Sequence, residues 1–444
     1  MKKIIGRQGV CGKQNRGVIR ESFTGKNLTC YGGTGKIRRF FGRHGLIQEL
    51  ERTLKVEGRR ESVYSPGQMV LSMLYGLFLG HSRPNQMCGA LGLDRVFQKL
   101  AGLAEFPVQS TVSRFLTGLR AAFAREVQRC NVNLLWRMRD GFLSFDVLTL
   151  DVDSHVMPVY GNQQGAGHGY NPKKKGRKSY QPFLCFIGET RDYIAGQLRN
   201  GKHSTFYGAT AFLKRVLKRL PRHLRKVRVR ADSGFFSSKI LDLLTSKGAE
   251  YYVVAPMKQW VQRAIYGIKT WRAIGDGYEV AESTLTMMKV DYRMVVVRKR
   301  VLKDRRPRRQ LSLLHDDDGH LYDYNAIVTN SVRLPENVWR FYNQRACCEN
   351  FIKEGIYSFG LDKVVSHSFS GNKAFFEIVM MAYNLFNVFK EEALGQITQK
   401  QTAQTIRDRI LRIPGKLVTS ARQPIIKLPQ DWPYRREYEQ ALTA

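Results

Sequence analysis

The sequence predicts an α/β protein: a mixed sheet flanked by helices, with a helical region before it and a second β-rich segment inside it. Three observations predict this. From Ile37 to about Asp140 the apolar residues recur with helical spacing. From Phe145 to Met257 short strand-like runs alternate with amphipathic helices. From about residue 258 to 330 the pattern is strand-like throughout, with Gly and Asp turns.

The elements follow in chain order. Residues 1–35 are rich in Gly, Lys and Arg and read as a basic N-terminal arm, with room for short strands. Residues 36–142 form a helical region in which Arg114, Arg120 and Arg125 leave the apolar stripe, the pattern of a helical DNA-binding region. In it Ser65 is placed as an N-cap before Pro66, and Ser110 caps a helix whose apolar stripe begins with Val112, Phe115 and Leu116. Residues 143–257 contain "DVLTLDVD", "QPFLCFIGE" and "DYIAGQLR" as strands, then a helix, "KVRVRADS", a second helix and "EYYVVAPM". Three closely spaced strands favour antiparallel neighbours. The strand-helix-strand units that follow imply parallel pairing with right-handed crossovers. That order is the layout of an RNase H-like core. Residues 258–330 are a β-rich insertion. Residues 331–395 return to helix and complete the core. Residues 396–444 form a C-terminal helical tail, in which Pro and Gly leave "IPGKLVTSARQPIIKLPQDWP" weakly structured.

Charge points to the partner. The 444 residues carry 73 Lys and Arg against 37 Asp and Glu, a formal net charge of +36. A polyanion relieves that self-repulsion, and basic side chains on DNA release condensed counterions. Hydrophobic residues make up 43% of the chain, enough for a large core and against wholesale disorder. The seven cysteines include no CxxC pair, which argues against a disulfide framework or zinc site and for a reducing cytoplasm. The basic N-terminus has no apolar stretch of signal-peptide type. The apolar run at Met73–Leu79 is too short to span a bilayer, and Asn384 and Asn387 interrupt the run near Val379.

Three acidic residues stand out. Asp153 ends the first strand, where alternation puts Val147, Thr149, Asp151 and Asp153 on one face. Asp232 ends "KVRVRAD" just before Ser233-Gly234. Strand C-termini are where α/β sheets place ligands. Taken singly, either Asp also reads as a turn or capping residue. The third is Glu349 in "WRFYNQRACCENFIKEG". Read as one helix, this segment puts Tyr342, Arg345, Glu349 and Lys353 in a single sector, beside a stripe of Phe341, Cys348 and Ile352. A solvent face with i,i+4 ion pairs explains that helix equally well. Together, however, two strand-end aspartates and a helix glutamate suit two Mg²⁺ ions, with Mn²⁺ as a substitute, for in-line displacement at a phosphodiester.

At this point a family resemblance enters. "LDVDSHVMPVYG" resembles the first-aspartate motif of bacterial insertion-sequence DDE transposases, "VRADSGFF" the second, and "YNQRACCE" their Tyr-x2-Arg-x3-Glu signature. The chain resembles the cut-and-paste type with a β-strand insertion in an RNase H-like core. The resemblance implies Asp153, Asp232 and Glu349 as catalytic metal ligands; Asp151, on the same face as Asp153, stands as a neighbouring group or spare ligand. It implies Tyr342 and Arg345 as contacts to the transferred strand. One departure is present: the family pattern has Lys seven positions after Glu, where this chain has Ile356. Lys353 is the substitute one turn past Glu349. The resemblance also implies binding to the terminal inverted repeats of an insertion sequence and to target DNA, a homodimer in a synaptic complex, and a bacterial, nucleoid-associated location. The tail is a candidate dimer interface.

Basic runs flank these motifs. "NPKKKGRKSY" supplies Lys173, Lys174, Lys175 and Arg177, and Arg230 alternates onto the face of Asp232. These are expected DNA contacts, to phosphates rather than bases. "RKRVLKDRRPRR" lies in the insertion. Any one such run also reads as a solvated face. His155, His168 and His203 show no metal spacing. Two rivals stay open: a DNA nuclease that hydrolyses without joining, and a non-catalytic domesticated DNA-binding protein.

Overall fold

The computed structural model describes residues 21–55, 63–139, 145–169, 171, 174–204, 206–301, 314–315, 321–394 and 401–441. Most of the arm, Lys173 and most of the run Arg298 to Arg309 lie outside them.

The helical region contains α1 (Pro66–Phe78) and α2 (Phe123–Met138) among shorter helices. Ser65 caps α1 through a reciprocal box. The Gln68 backbone N–H donates to Ser65 Oγ at 3.0 Å, and the Ser65 N–H donates to Gln68 Oε1 at 2.8 Å. The expected Ser110 cap is not there. That helix starts two residues earlier than a Ser110 cap implies, at Gln109, with Val108 at the N-cap and no side-chain cap bond.

The sheet follows. Its strands are β1 (Val147–Ser154), β2 (Phe183–Ile187) and β3 (Tyr193–Gln197). After helix α3 (Ala209–Arg219) comes β4 (Lys226–Ala231), and after α4 (Ser238–Ser246) comes β5 (Glu250–Val254). The spatial order is β3-β2-β1-β4-β5, with β1–β2–β3 antiparallel and β1–β4–β5 parallel. This is the RNase H-like arrangement.

The segment after β5 begins with a helix the periodicity did not reveal, Gln259–Tyr266. Strands β6 (Arg272–Gly275), β7 (Tyr278–Met287), β8 (Val290–Arg300) and β9 (Leu321–Thr329) then continue the same sheet. β9 pairs antiparallel with β5, through Val253 opposite Val328. The result is one ten-stranded sheet rather than a core with a separate β unit.

Two apolar layers cover the core strands. Leu148, Leu150, Val152 and Val229 pack against Leu213 of α3 and Leu241 of α4. On the other face, Leu184 and Phe186 join a cluster that runs without a break into the N-terminal helices. Helix α7 (Phe369–Leu394) links the two regions. Its Asn384, an interruption in an apolar run, is buried and clamps β3. The Tyr193 N–H donates to Asn384 Oδ1 at 2.8 Å, and Asn384 Nδ2 donates to Tyr193 O at 2.7 Å. A helix side chain thereby satisfies a strand's backbone groups that burial would otherwise orphan.

The C-terminal segment differs from expectation. It forms a hairpin, β10 (Gly415–Ser420) and β11 (Gln423–Lys427), and β10 pairs with Leu28–Thr29. Before it, the buried Arg407 donates to Phe78 O and Leu77 O, each at 2.8 Å. Its cation thus sits on the last carbonyls of α1, the negative end of the helix dipole. Among the described residues no helix is long and apolar enough to cross a membrane.

Candidate active site

Strand register builds the site. β1 and β4 pair in parallel with Val152 opposite Ala231 and Asp151 opposite Arg230. One step on, Asp153 and Asp232 are neighbours across adjacent strands, about 4.8 Å apart along the pairing direction. Alternation puts both carboxylates on the face of Asp151 and Arg230. Asp153 is 8% exposed. The backbone supplies each aspartate with one donor: the Ser154 N–H reaches Asp153 Oδ1 at 2.8 Å, and the Gly234 N–H reaches Asp232 Oδ1 at 3.0 Å. Asp232 thus also serves as the turn cap that a lone Asp suggests.

The glutamate segment is not one helix. It divides into α5 (Pro335–Asn343) and α6 (Ala346–Phe359), with a turn at Gln344–Arg345. The shared helical sector expected for Tyr342 through Lys353 therefore does not exist. The turn aims Arg345, N-cap of α6, at the aspartates. Its Nη2 lies 3.0 Å from Asp153 Oδ1 and 3.3 Å from Val152 O. The N-terminus of α6, the positive end of its dipole, comes with it. Buried Cys348 and Phe351 seat α6 on the sheet, Phe351 against Phe186. Arg345 Nε is buried without a hydrogen-bond partner among the described residues, a donor free for an anionic oxygen.

Glu349 lies in the first turn of α6, but on its outer side. Its side chain is 63% exposed and stands 4.0 Å from Lys353 Nζ. Its charge is felt at Asp153, yet among the described residues no three Asp, Glu, His or Cys side chains gather closely enough to hold a metal ion. Two of the three expected ligands are therefore together, and the third stands off by roughly a helical turn from Arg345.

Electrostatics sharpen the picture. Burial pushes the Asp153 carboxyl up to about 6. Arg345 opposes that shift, while the like charges of Asp232 and Glu349 add to it. Burial raises Asp232 as well, again against Arg345. A buried and a half-buried carboxylate, under-neutralised and with oxygen donors, suit a hard divalent cation. Arg345 supplies positive charge at that position.

Asp151 and Arg230 have a different role from the one expected. Arg230 Nε and Nη2 donate to the two Asp151 oxygens at 2.6 and 2.8 Å, and Nη1 donates to Phe341 O at 2.8 Å. Both residues are buried. In this structure Arg230 and Asp151 are committed to each other rather than to solvent: the pair ties β1 and β4 to α5. The ring of Phe341, assigned from sequence to an apolar stripe, receives Arg228, Arg230 and Arg333 at 5.5, 4.8 and 4.7 Å. Tyr342 is buried, and burial pushes its hydroxyl up to about 12. In the basic loop, Lys174, Lys175 and Arg177 are exposed. Lys174 and Arg177 both lie over the Tyr160 ring, at 5.0 and 4.5 Å.

Comparison with known proteins decides the family. A family model described as "Transposase DDE domain group 1" matches residues 12–444. The chain belongs to the DDE transposase family. Among solved structures, this DDE transposase is similar to the piggyBac transposase in a cryo-EM synaptic complex with hairpin DNA. The TM-score is 0.45 and the identity 11%, over 84% of this chain and 78% of that one. No curated protein matches.

Proposed function

We propose that this DDE transposase mobilises its own insertion sequence in a bacterial cell, acting at the nucleoid. It binds the element's terminal inverted repeats, cuts them and joins the freed ends to target DNA. The observation that carries this reading is the pair Asp153 and Asp232, side by side on neighbouring parallel strands with the Arg345 guanidinium against Asp153. Asp153, Asp232 and Glu349 would hold two Mg²⁺ ions, or Mn²⁺. Bound there, the ions supply Lewis acidity for in-line displacement at phosphorus. Glu349 reaches the aspartates by turning its exposed side chain inward as Arg345 yields the Asp153 carboxylate.

The protein's own groups would do the rest. Arg345 offers its unpartnered Nε and released Nη2 to a phosphate oxygen. Tyr342, protonated at neutral pH, donates a hydrogen bond to the transferred strand. Lys173, Lys174, Lys175 and Arg177 hold flanking phosphates, and Lys353 contacts the strand beside Glu349. Two ends brought together imply a homodimer, with the C-terminal region as its interface. We retain the units 1–35, 36–142, 143–257, 258–330, 331–395 and 396–444 as functional divisions within a continuous fold.

The test is cleavage and joining of duplexes that carry the inverted repeats flanking the gene. Covalent joining of a pre-nicked 3′-hydroxyl end to a plasmid is the expected result. Cleavage without joining would make the protein a nuclease.

A further inference from the structure

Strand β3 is the outer edge of the sheet. Beside it lie two adjoining hollows along α2 that share Arg125 and Arg219 and together make a cationic groove: Arg129 lines one of them, and Arg215 of α3 and Lys373 of α7 line the other. Other arginines of the core are neutralised by carboxylates, as Arg139 is by Asp192 and Glu391 and Arg298 by Glu279. Among the described residues none of the five groove cations forms an ion pair with a carboxylate. Arg215 and Arg219 instead donate to the neutral Gln197 and Gln128, and Lys373 lies over the Phe369 ring.

The cations crowd one another. Burial and then repulsion from Arg219 and Arg125 lower the proton affinity of Arg215; burial and then Arg125 lower that of Lys373. Two carboxylates line the groove. Glu126 is committed to Arg120 at 3.0 Å. Glu377 is buried between Tyr193 and Gln128, and burial pushes it up to about 8, so it adds no negative charge at neutral pH. Two adjoining hollows lined by three and by four cations, Arg125 and Arg219 in both, suit an anion that spans them.

Position and length suit a nucleic-acid backbone. Register places Asp153 opposite Leu184 and Leu184 opposite Gly196, so the groove's upper wall is in the same row as Asp153, two strands or about 10 Å away. Arg125 to Arg129 and Arg215 to Arg219 are i,i+4 pairs, each rising about 6 Å, and phosphates of one strand advance about 3.4 Å each. From Arg125 to the half-buried Trp136 at the far end is about 17 Å, room for roughly five phosphates.

We propose that this groove is a DNA-backbone track, leading from the catalytic end along the free edge of the sheet. The assignment rests on the transposase reading and deepens it.

Binding of a fluorescent random-sequence 30-base-pair duplex, followed by anisotropy between 50 and 300 mM salt, tests it. Each phosphate contact contributes about 0.9 to the slope of log affinity against log salt. The variant R125A/R129A/R215A should lose about 2 to 3 from that slope, and R125K/R129K/R215K should keep it. If the triple alanine variant unfolds, Arg125→Ala and Arg129→Ala, both at exposed positions, should each lose about 0.9. A wild-type slope in the folded alanine variants overturns the track while leaving the transposase reading intact. Failure of the wild-type protein to bind DNA overturns both. Binding of a polyglutamate peptide that the alanine variants lose, with the DNA slope unchanged, makes the groove a protein-docking site and also overturns it.

Discussion

Arg345 Nη2 lies 3.0 Å from Asp153 Oδ1, so the guanidinium of the signature arginine is the charged partner of the first aspartate, while Glu349 pairs outward with Lys353. Both side chains are about nine-tenths buried. The arginine is the counter-charge that lets Asp153 and Asp232 remain side by side.

Removing it should expose that repulsion. Arg345→Ala is expected to lower the stability of the metal-free protein by about 3 kcal/mol, the usual cost of leaving a buried charge without its partner. Millimolar Mg²⁺ or Mn²⁺ should restore part of the loss, and raise the melting temperature of the variant more than that of the wild type. Thermal unfolding with and without the cation reads this directly. An equal metal response in both proteins contradicts it.

The Asp151–Arg230 pair calls for the opposite of a DNA contact. Asp151→Asn should cost roughly 3–5 kcal/mol because it strands a buried guanidinium. The double variant Asp151→Leu/Arg230→Met should recover much of that cost. Urea unfolding measures both. If Arg230→Met leaves stability unchanged and weakens DNA binding, the pair has been misread.

Glu377 should impose a pH dependence. Burial raises its folded value from 4.5 to about 8, against hydrogen bonds from Tyr193 on β3 and Gln128 on α2 and the nearby charge of Arg219 on α3. As pH climbs through that window the unfolded chain releases the proton first, so stability falls from about pH 4.5 to about 8 and then levels off. Glu377→Gln removes the titration. Its stability relative to wild type should be about level at pH 5 and a few kcal/mol better at pH 8, each tenfold in proton affinity being about 1.4 kcal/mol. A constant difference across that range contradicts the buried, neutral carboxyl.

Much of this was legible because local pattern carried it. Alternation in "VLTLDVD" placed Asp151 and Asp153 on one face, and the strand-helix order implied antiparallel neighbours followed by parallel units, as the sheet shows. What stayed hidden depended on contacts between distant segments. No Gly or Pro marks the break at Gln344–Arg345; the buried contact of Arg345 with Asp153 accompanies it. The β10–β11 hairpin was missed because Ala421 and Arg422 take its left-handed turn positions, at φ 50° and 65°, in place of the Asn-Gly that announces such a turn. Alternation correctly put Arg230 on the face of Asp232, but only the register shows that Asp151 is its partner. Likewise, nothing local in "RQLSLLH" or "DYNAIVTNS" tells that β9 joins the core sheet through β5.

The central claim is that Asp153, Asp232 and Glu349 jointly hold the divalent cations for DNA cleavage. Its most direct measurement is Mg²⁺-dependent cleavage of an inverted-repeat duplex by Asp153→Asn, Asp232→Asn and Glu349→Gln, alongside DNA binding by the same proteins. Each variant should bind DNA as the wild type does. Each should lose more activity than the roughly 10–100-fold that outer partners of metal ligands command. Wild-type cleavage by Asp153→Asn or Asp232→Asn would contradict the site, and wild-type cleavage by Glu349→Gln would remove the glutamate from it.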